Sequence, residues 1–92
     1  MGKIVFYNEY RNTDQFRIDY PYYGLFGSAN VTRLLRDQEM VFECALLNGS
    51  KITVKKSGPS NKWIDMAMNH ETPLSATIGI SIEDFLRKNN PE

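Results

Sequence analysis

Residues 39–56, EMVFECALLNGSKITVKK, constrain the fold more than any other stretch of this chain. Two runs rich in β-branched and aromatic residues, EMVFECALL (39–47) and SKITVKK (50–56), flank Asn48-Gly49, a strong hairpin signal. Asn-Gly ordinarily closes a two-residue turn. That register sets Phe42 opposite Lys55 and Cys44 opposite Thr53, so each sheet face would mix core and solvent residues. A loop one residue longer, Leu47-Asn48-Gly49 with Gly49 left-handed, pairs Phe42 with Val54 and Cys44 with Ile52. Strand side chains alternate with period two, so only this parity keeps one face apolar, and the three-residue loop is the one expected.

The remaining elements are read around this hairpin. Residues 3–10, KIVFYNEY, are expected to form a strand. Residues 15–20, QFRIDY, alternate cleanly, with Phe16, Ile18 and Tyr20 on one face. The intervening RNTD is turn chemistry, so these two runs are expected to pair as an antiparallel hairpin, Tyr10 with Phe16 and Glu9 opposite Arg17. SANVTRLLRDQ, residues 28–38, is read as a short helix capped by Ser28 or Asn30, with Val31, Leu34 and Leu35 on one face. SGPSNK, 57–62, is a loop. WIDMAMNH, 63–70, is read as helix because Met and Ala favour it, although the alternation Ile64, Met66, Met68 also suits a strand. LSATIGI, 74–80, is expected to be a strand. Ser81 then caps a helix over SIEDFLRKNN, with Glu83 and Asp84 in its first turn, Arg87 and Lys88 in its last, and Ile82, Phe85 and Leu86 inward. The resulting expectation is one α+β domain over residues 1–92. It is a two-layer sandwich with a mostly antiparallel sheet of about five strands and two or three helices.

Composition narrows the function classes. Eleven basic residues balance eleven acidic ones in 92 residues, a neutrality that argues against a dedicated nucleic-acid binder and eases self-association. One cysteine excludes an intramolecular disulfide. The start, MGKIVFYNEY, is too polar for a secretory signal, and no run approaches the roughly 18 apolar residues of a membrane span. The expectation is a cytoplasmic protein with no membrane role.

No catalytic constellation emerges. A Cys44–His70 pair oriented by Asp65 or Glu71 is disfavoured, because Cys44 shares a strand face with Phe42 and Leu46 and reads as a buried hydrophobe. One histidine and one cysteine without ligand spacing do not make a metal site, and no phosphate-cradling motif occurs beyond the glycine pair Gly24 and Gly27. No metal or other cofactor is therefore expected. Two segments carry recognition chemistry. Between residues 51 and 62 stand Lys51, Lys55, Lys56 and Lys62 with no acid, followed by Trp63; such a segment can track a phosphate backbone and stack a base. The plainer reading is lysines that guard an outer strand and a tryptophan that anchors the core.

The other segment is DYPYYGLFG, 19–27, which holds four of the eleven aromatics. Tyr20 continues an apolar face, and Leu25 and Phe26 read as core edge. Tyr22 and Tyr23 are consecutive, so at least one faces solvent. With Tyr7 and Tyr10 they make a candidate protein-binding patch, since tyrosine offers large contact area with little rotamer entropy. The expected function is a non-enzymatic interaction module that binds another protein or itself. An inhibitor or regulator, of the kind phages and mobile elements encode, is one instance. Salt-dependent nucleic-acid binding through Lys51–Trp63 is the alternative, and a small-ligand binder or small enzyme with a cleft between sheet and helices the third.

Overall fold

A computed structural model describes residues 14–89. The expected strand 3–10, with Tyr7, Tyr10 and half of the expected first hairpin, lies outside the described residues. Five strands and one helix follow: β1 (Gln15–Tyr22), β2 (Leu25–Arg36), β3 (Glu39–Leu46), β4 (Lys51–Lys56), β5 (Trp63–Asp65) and α1 (Pro73–Asn89). The strands form one antiparallel sheet in chain order, each paired with the next. The α+β expectation holds at that level, but among the described residues there is one helix, not two or three.

The 39–56 hairpin has the expected register: Phe42 pairs with Val54 and Cys44 with Ile52. Leu46 N–H donates to the Ser50 carbonyl at 2.8 Å, and Gly49 turns the loop at φ 95°. The inward row therefore reads Phe42, Cys44, Leu46, Ile52 and Val54, all buried.

Residues 28–36 are strand and 37–38 a turn, not helix. Two tight turns bracket β2. Tyr23-Gly24, at φ 51° and 80°, joins Tyr22 to Leu25; Asp37-Gln38, at φ 53° and 66°, joins Arg36 to Glu39. Positive φ at both central residues is the hairpin geometry that matches strand twist. Once both turns close, β2 is hydrogen-bonded on both sides from Ser28 to Arg33. Its burial then alternates, Ala29 and Val31 in and Asn30 out, against the helical spacing of Val31, Leu34 and Leu35.

Residues 63–70 are not a helix either. β5 occupies 63–65, and Asp65 then organises a turn: its carboxylate accepts from Ala67 N–H at 2.9 Å and its carbonyl from Asn69 N–H at 2.7 Å, before a bridge to His70. The expected strand 74–80 is the first half of α1. Thr72 Oγ1 accepts from Ser75 N–H at 3.0 Å while Ser75 Oγ accepts from Thr72 N–H at 2.9 Å, a reciprocal cap, and Pro73 fits the first helical position. Ser81 is thus mid-helix and caps nothing, and Glu83 and Asp84 lie far from the first turn. Arg87 and Lys88 do occupy the last turn, paired with Asp84 at 2.8 and 3.1 Å.

The helix backbone comes within 8 Å, Cα to Cα, of β1, β4 and β5 but of neither β2 nor β3. The sheet thus curves around it, and α1 spans the two edge strands of the described sheet. Phe85 stacks on Phe16 with ring centroids 4.2 Å apart, and Thr77 Oγ1 donates to the Pro21 carbonyl at 2.7 Å, so α1 runs antiparallel to β1. On the β5 side, Ser75 Oγ donates to the Trp63 carbonyl at 2.8 Å and Trp63 Nε1–H to Glu83 at 2.9 Å. Ile78 and Ile82 fill the centre of the core with Ile18, Val31, Phe42 and Val54.

Candidate functional site

The β1–β2 hairpin outruns the rest of the sheet. Its ladder continues from Asp19↔Ser28 to Tyr22↔Leu25, whereas the β2–β3 ladder stops at Ala29↔Leu46. Leu47 N–H donates to the Ser28 carbonyl at 3.2 Å and marks where β3 turns away. From Ser28 to Leu25 the chain advances about 10 Å at strand rise, so the tip projects past the last β2–β3 contact.

That tip is apolar and exposed. Tyr23 is 79% exposed, Leu25 74% and Phe26 80%. Leu25 and Phe26 are therefore not core edge, as their hydrophobicity suggested; Phe26 stands on the convex face, opposite to inward Tyr20 and Gly27, and Leu25 lies next to the turn. Tyr22 is half-buried and lies 4.5 Å, centroid to centroid, from Tyr23 at an interplanar angle of 59°. Tyr20 is core, as expected, and its ring covers Gly27, where an added Cβ would fall 2.5 Å from Cζ. Burial raises the Tyr20 hydroxyl pKa above its ordinary value. Gly27 thus lets a buried aromatic lie flat across β2 and brace the projecting tip from within. Register extends the patch sideways: Ser28 and Leu47 are level, so Leu47, 65% exposed, is a diagonal neighbour of Phe26 on the convex face. None of residues 20–29 or 47–50 is charged. Leu47 had no signal in the sequence beyond its place in a turn.

The lysine segment is arranged differently. Lys55 pairs with Glu39 at 3.0 Å and Lys56 with Glu83 at 2.5 Å, while Lys51 and Lys62 are exposed. The hydrogen bond from Lys56 holds the Glu83 carboxyl below its ordinary range, aided by the one from Trp63. Trp63 is buried, edge-on to Phe42 at 5.5 Å, and its ring offers no stacking face to a base. Beside it, a groove of about 470 Å³ runs between α1 and the sheet over Phe42, Trp63 and Leu86; two lysines on its rim are those already paired. Cys44 is 1% exposed and burial pushes its thiol up to about 12, the opposite of an activated nucleophile. His70 is exposed, with Nδ1 2.9 Å from the Glu71 carbonyl. Among the described residues no three of His, Cys, Asp and Glu converge, and no helix is long and apolar enough to cross a membrane. The chain matches no protein-family model, no curated protein and no solved structure.

Proposed function

We propose that this protein is a non-enzymatic interaction module whose contact surface is the projecting β1–β2 hairpin, with Tyr22, Tyr23, Leu25 and Phe26 as its anchors. One observation carries the reading: three large apolar side chains at least 74% exposed, all within residues 23–26 of one braced hairpin tip, with no charge among them. Exposed apolar side chains cost solubility, and a cluster of them marks an interaction site more often than scattered ones do. The tight turn fixes the tip before contact, so little ordering entropy is spent on binding. An inhibitor or regulator would use such a rigid aromatic protrusion to fill a partner's cleft. The lysine segment supports nucleic-acid binding less well, because Trp63 points inward and two of its four lysines are committed to ion pairs.

A photo-crosslinking residue in place of Tyr23 is expected to give a discrete protein adduct in cells, and the same residue in place of Lys62 is not. No adduct from position 23, or equal adducts from both positions, overturns the reading.

A further inference from the structure

Asn48 has a chemistry that its place in the β3–β4 turn does not use up. It is the one asparagine of the chain followed by glycine, and it stands exposed together with Gly49 and Ser50. Asn30, Asn61 and Asn69 are followed by Val31, Lys62 and His70, whose side chains crowd the next backbone nitrogen. Gly49 has no side chain, and the position a Cβ would take there has no heavy atom within 4 Å. An amide nitrogen so bare is open to attack the side-chain carbonyl of the residue before it.

Two hydrogen bonds set the terms. Ser50 N–H donates to Asn48 Oδ1 at 2.9 Å, which folds the side-chain amide back onto its own turn. That donor faces the oxygen on which negative charge develops when Cγ is attacked. Gly49 N–H donates to the Leu46 carbonyl at 3.0 Å, and this bond opposes the attack, since the nitrogen must first give up its proton. It is a single bond of an exposed turn, and such bonds open locally without unfolding the sheet.

We infer that Asn48 is a site of spontaneous covalent modification, deamidation through a cyclic imide, timed by opening of the Gly49–Leu46 bond. The inference holds whichever surface binds a partner. Hydroxide takes the Gly49 amide proton, and the nitrogen forms a bond to Asn48 Cγ. The Cγ–Nδ2 bond breaks, and Nδ2 takes a proton from water and leaves as ammonia. Water then opens the imide. Cleavage at Cγ leaves aspartate at position 48; cleavage at the main-chain carbonyl leaves isoaspartate, whose backbone runs through Cγ and is one carbon longer. Either product adds a negative charge beside Leu47, in a zone, residues 20–29 and 47–50, that otherwise has none. Aspartate keeps an acceptor for Ser50 N–H and so keeps the turn. The extra carbon of isoaspartate spoils the three-residue spacing that sets Phe42 opposite Val54.

The test holds the full chain at neutral to mildly alkaline pH and follows it by anion exchange and peptide mass mapping. A more negative species is expected to accumulate, with NH2 replaced by OH at Asn48 and with Asn30, Asn61 and Asn69 unchanged over the same time. Its rate is expected to rise with pH, because the attacking nitrogen must lose a proton. It is also expected to be several-fold slower than in the same chain unfolded in urea, because of the bond to Leu46. Asn48→Asp, which keeps the acceptor for Ser50, is expected to fold, to elute with the aspartyl product and to gain no further charge. A native chain whose Asn48 stays intact over many half-lives of the unfolded chain overturns the site, as does one that changes first at another asparagine or an Asn48→Asp chain that goes on gaining charge. A rate indifferent to pH overturns the imide route. A native rate equal to the unfolded one overturns the timing by the Gly49–Leu46 bond.

Discussion

Gly79 shows how one residue decides what a segment becomes. It lies on the buried side of α1, and a Cβ there would sit 1.9 Å from Cγ of Trp63. The indole is held in place by its hydrogen bond to Glu83 and its packing on Phe42. Gly79→Ala gains about 1 kcal/mol in helix propensity, and the overpacking it forces costs about 1–3 kcal/mol or more. The clash is with atoms of a buried, hydrogen-bonded ring, so the larger cost wins and a net loss of about 1–2 kcal/mol is expected in urea unfolding. A variant as stable as the wild type would show that helix and tryptophan separate easily. Cys44 makes a second test through pH. Its folded-state pKa, about 12, lies above the ordinary value of 9.0. Below pH 9 the thiol is neutral in both states; above it the unfolded chain ionises first and stability falls until the folded thiol titrates. Cys44→Ala is expected to be less stable than wild type at pH 7, with the gap narrowing as pH rises from 9 toward 11. A constant gap would mean the thiol reaches solvent in the folded protein.

At the scale of elements, what was legible was whatever alternation alone determines. The Asn48-Gly49 hairpin could be read to the residue because only one parity gives an apolar face, and β1 because Phe16, Ile18 and Tyr20 recur at period two. The errors lie where a turn lacked its usual residues. Asp37-Gln38 contains no glycine, yet adopts positive φ at both positions, and without that turn β2 has no reason to leave the helical reading. Thr72-Pro73 starts the helix, yet β-branched Thr77, Ile78 and Ile80 suit a strand by residue type, so the segment 74–80 reads as one. The candidate site is half legible: residue type points to Tyr22 and Tyr23, but hydrophobicity places Leu25 and Phe26 inward, because it does not reveal which face of a strand is covered. The unusual turn also yields a prediction. Left-handed geometry costs a non-glycine residue about 1–2 kcal/mol, partly offset in glycine by its looser unfolded chain, so Gln38→Gly should stabilise by about 0.5–1 kcal/mol. A lower urea midpoint for Gln38→Gly would place the strain elsewhere.

For the molecule as a whole, the distribution of charge separates the two recognition chemistries. The ion pairs of the described residues sit at the surface: Arg17–Asp19 on β1, Arg33 of β2 with Asp14, Arg36–Glu43 at 2.7 Å on the convex face, Lys55–Glu39 and Lys56–Glu83 along β4, and Asp84 with Arg87 and Lys88 on the helix. Each is partly solvated and worth little alone, and salt screens such pairs. Association through the hairpin involves no formal charge, so it should resist sodium chloride and strengthen in sulfate, which drives apolar burial. Binding through Lys51 and Lys62 would do the reverse, since every phosphate neutralised releases counterions and affinity falls steeply with salt. Association is therefore expected to be unchanged between low and high sodium chloride and tighter in ammonium sulfate, with no retention on a polyanion column at physiological ionic strength. Association that collapses in salt, together with retention that Lys51→Glu and Lys62→Glu abolish, would move the working surface from the hairpin tip to β4 and the loop after it.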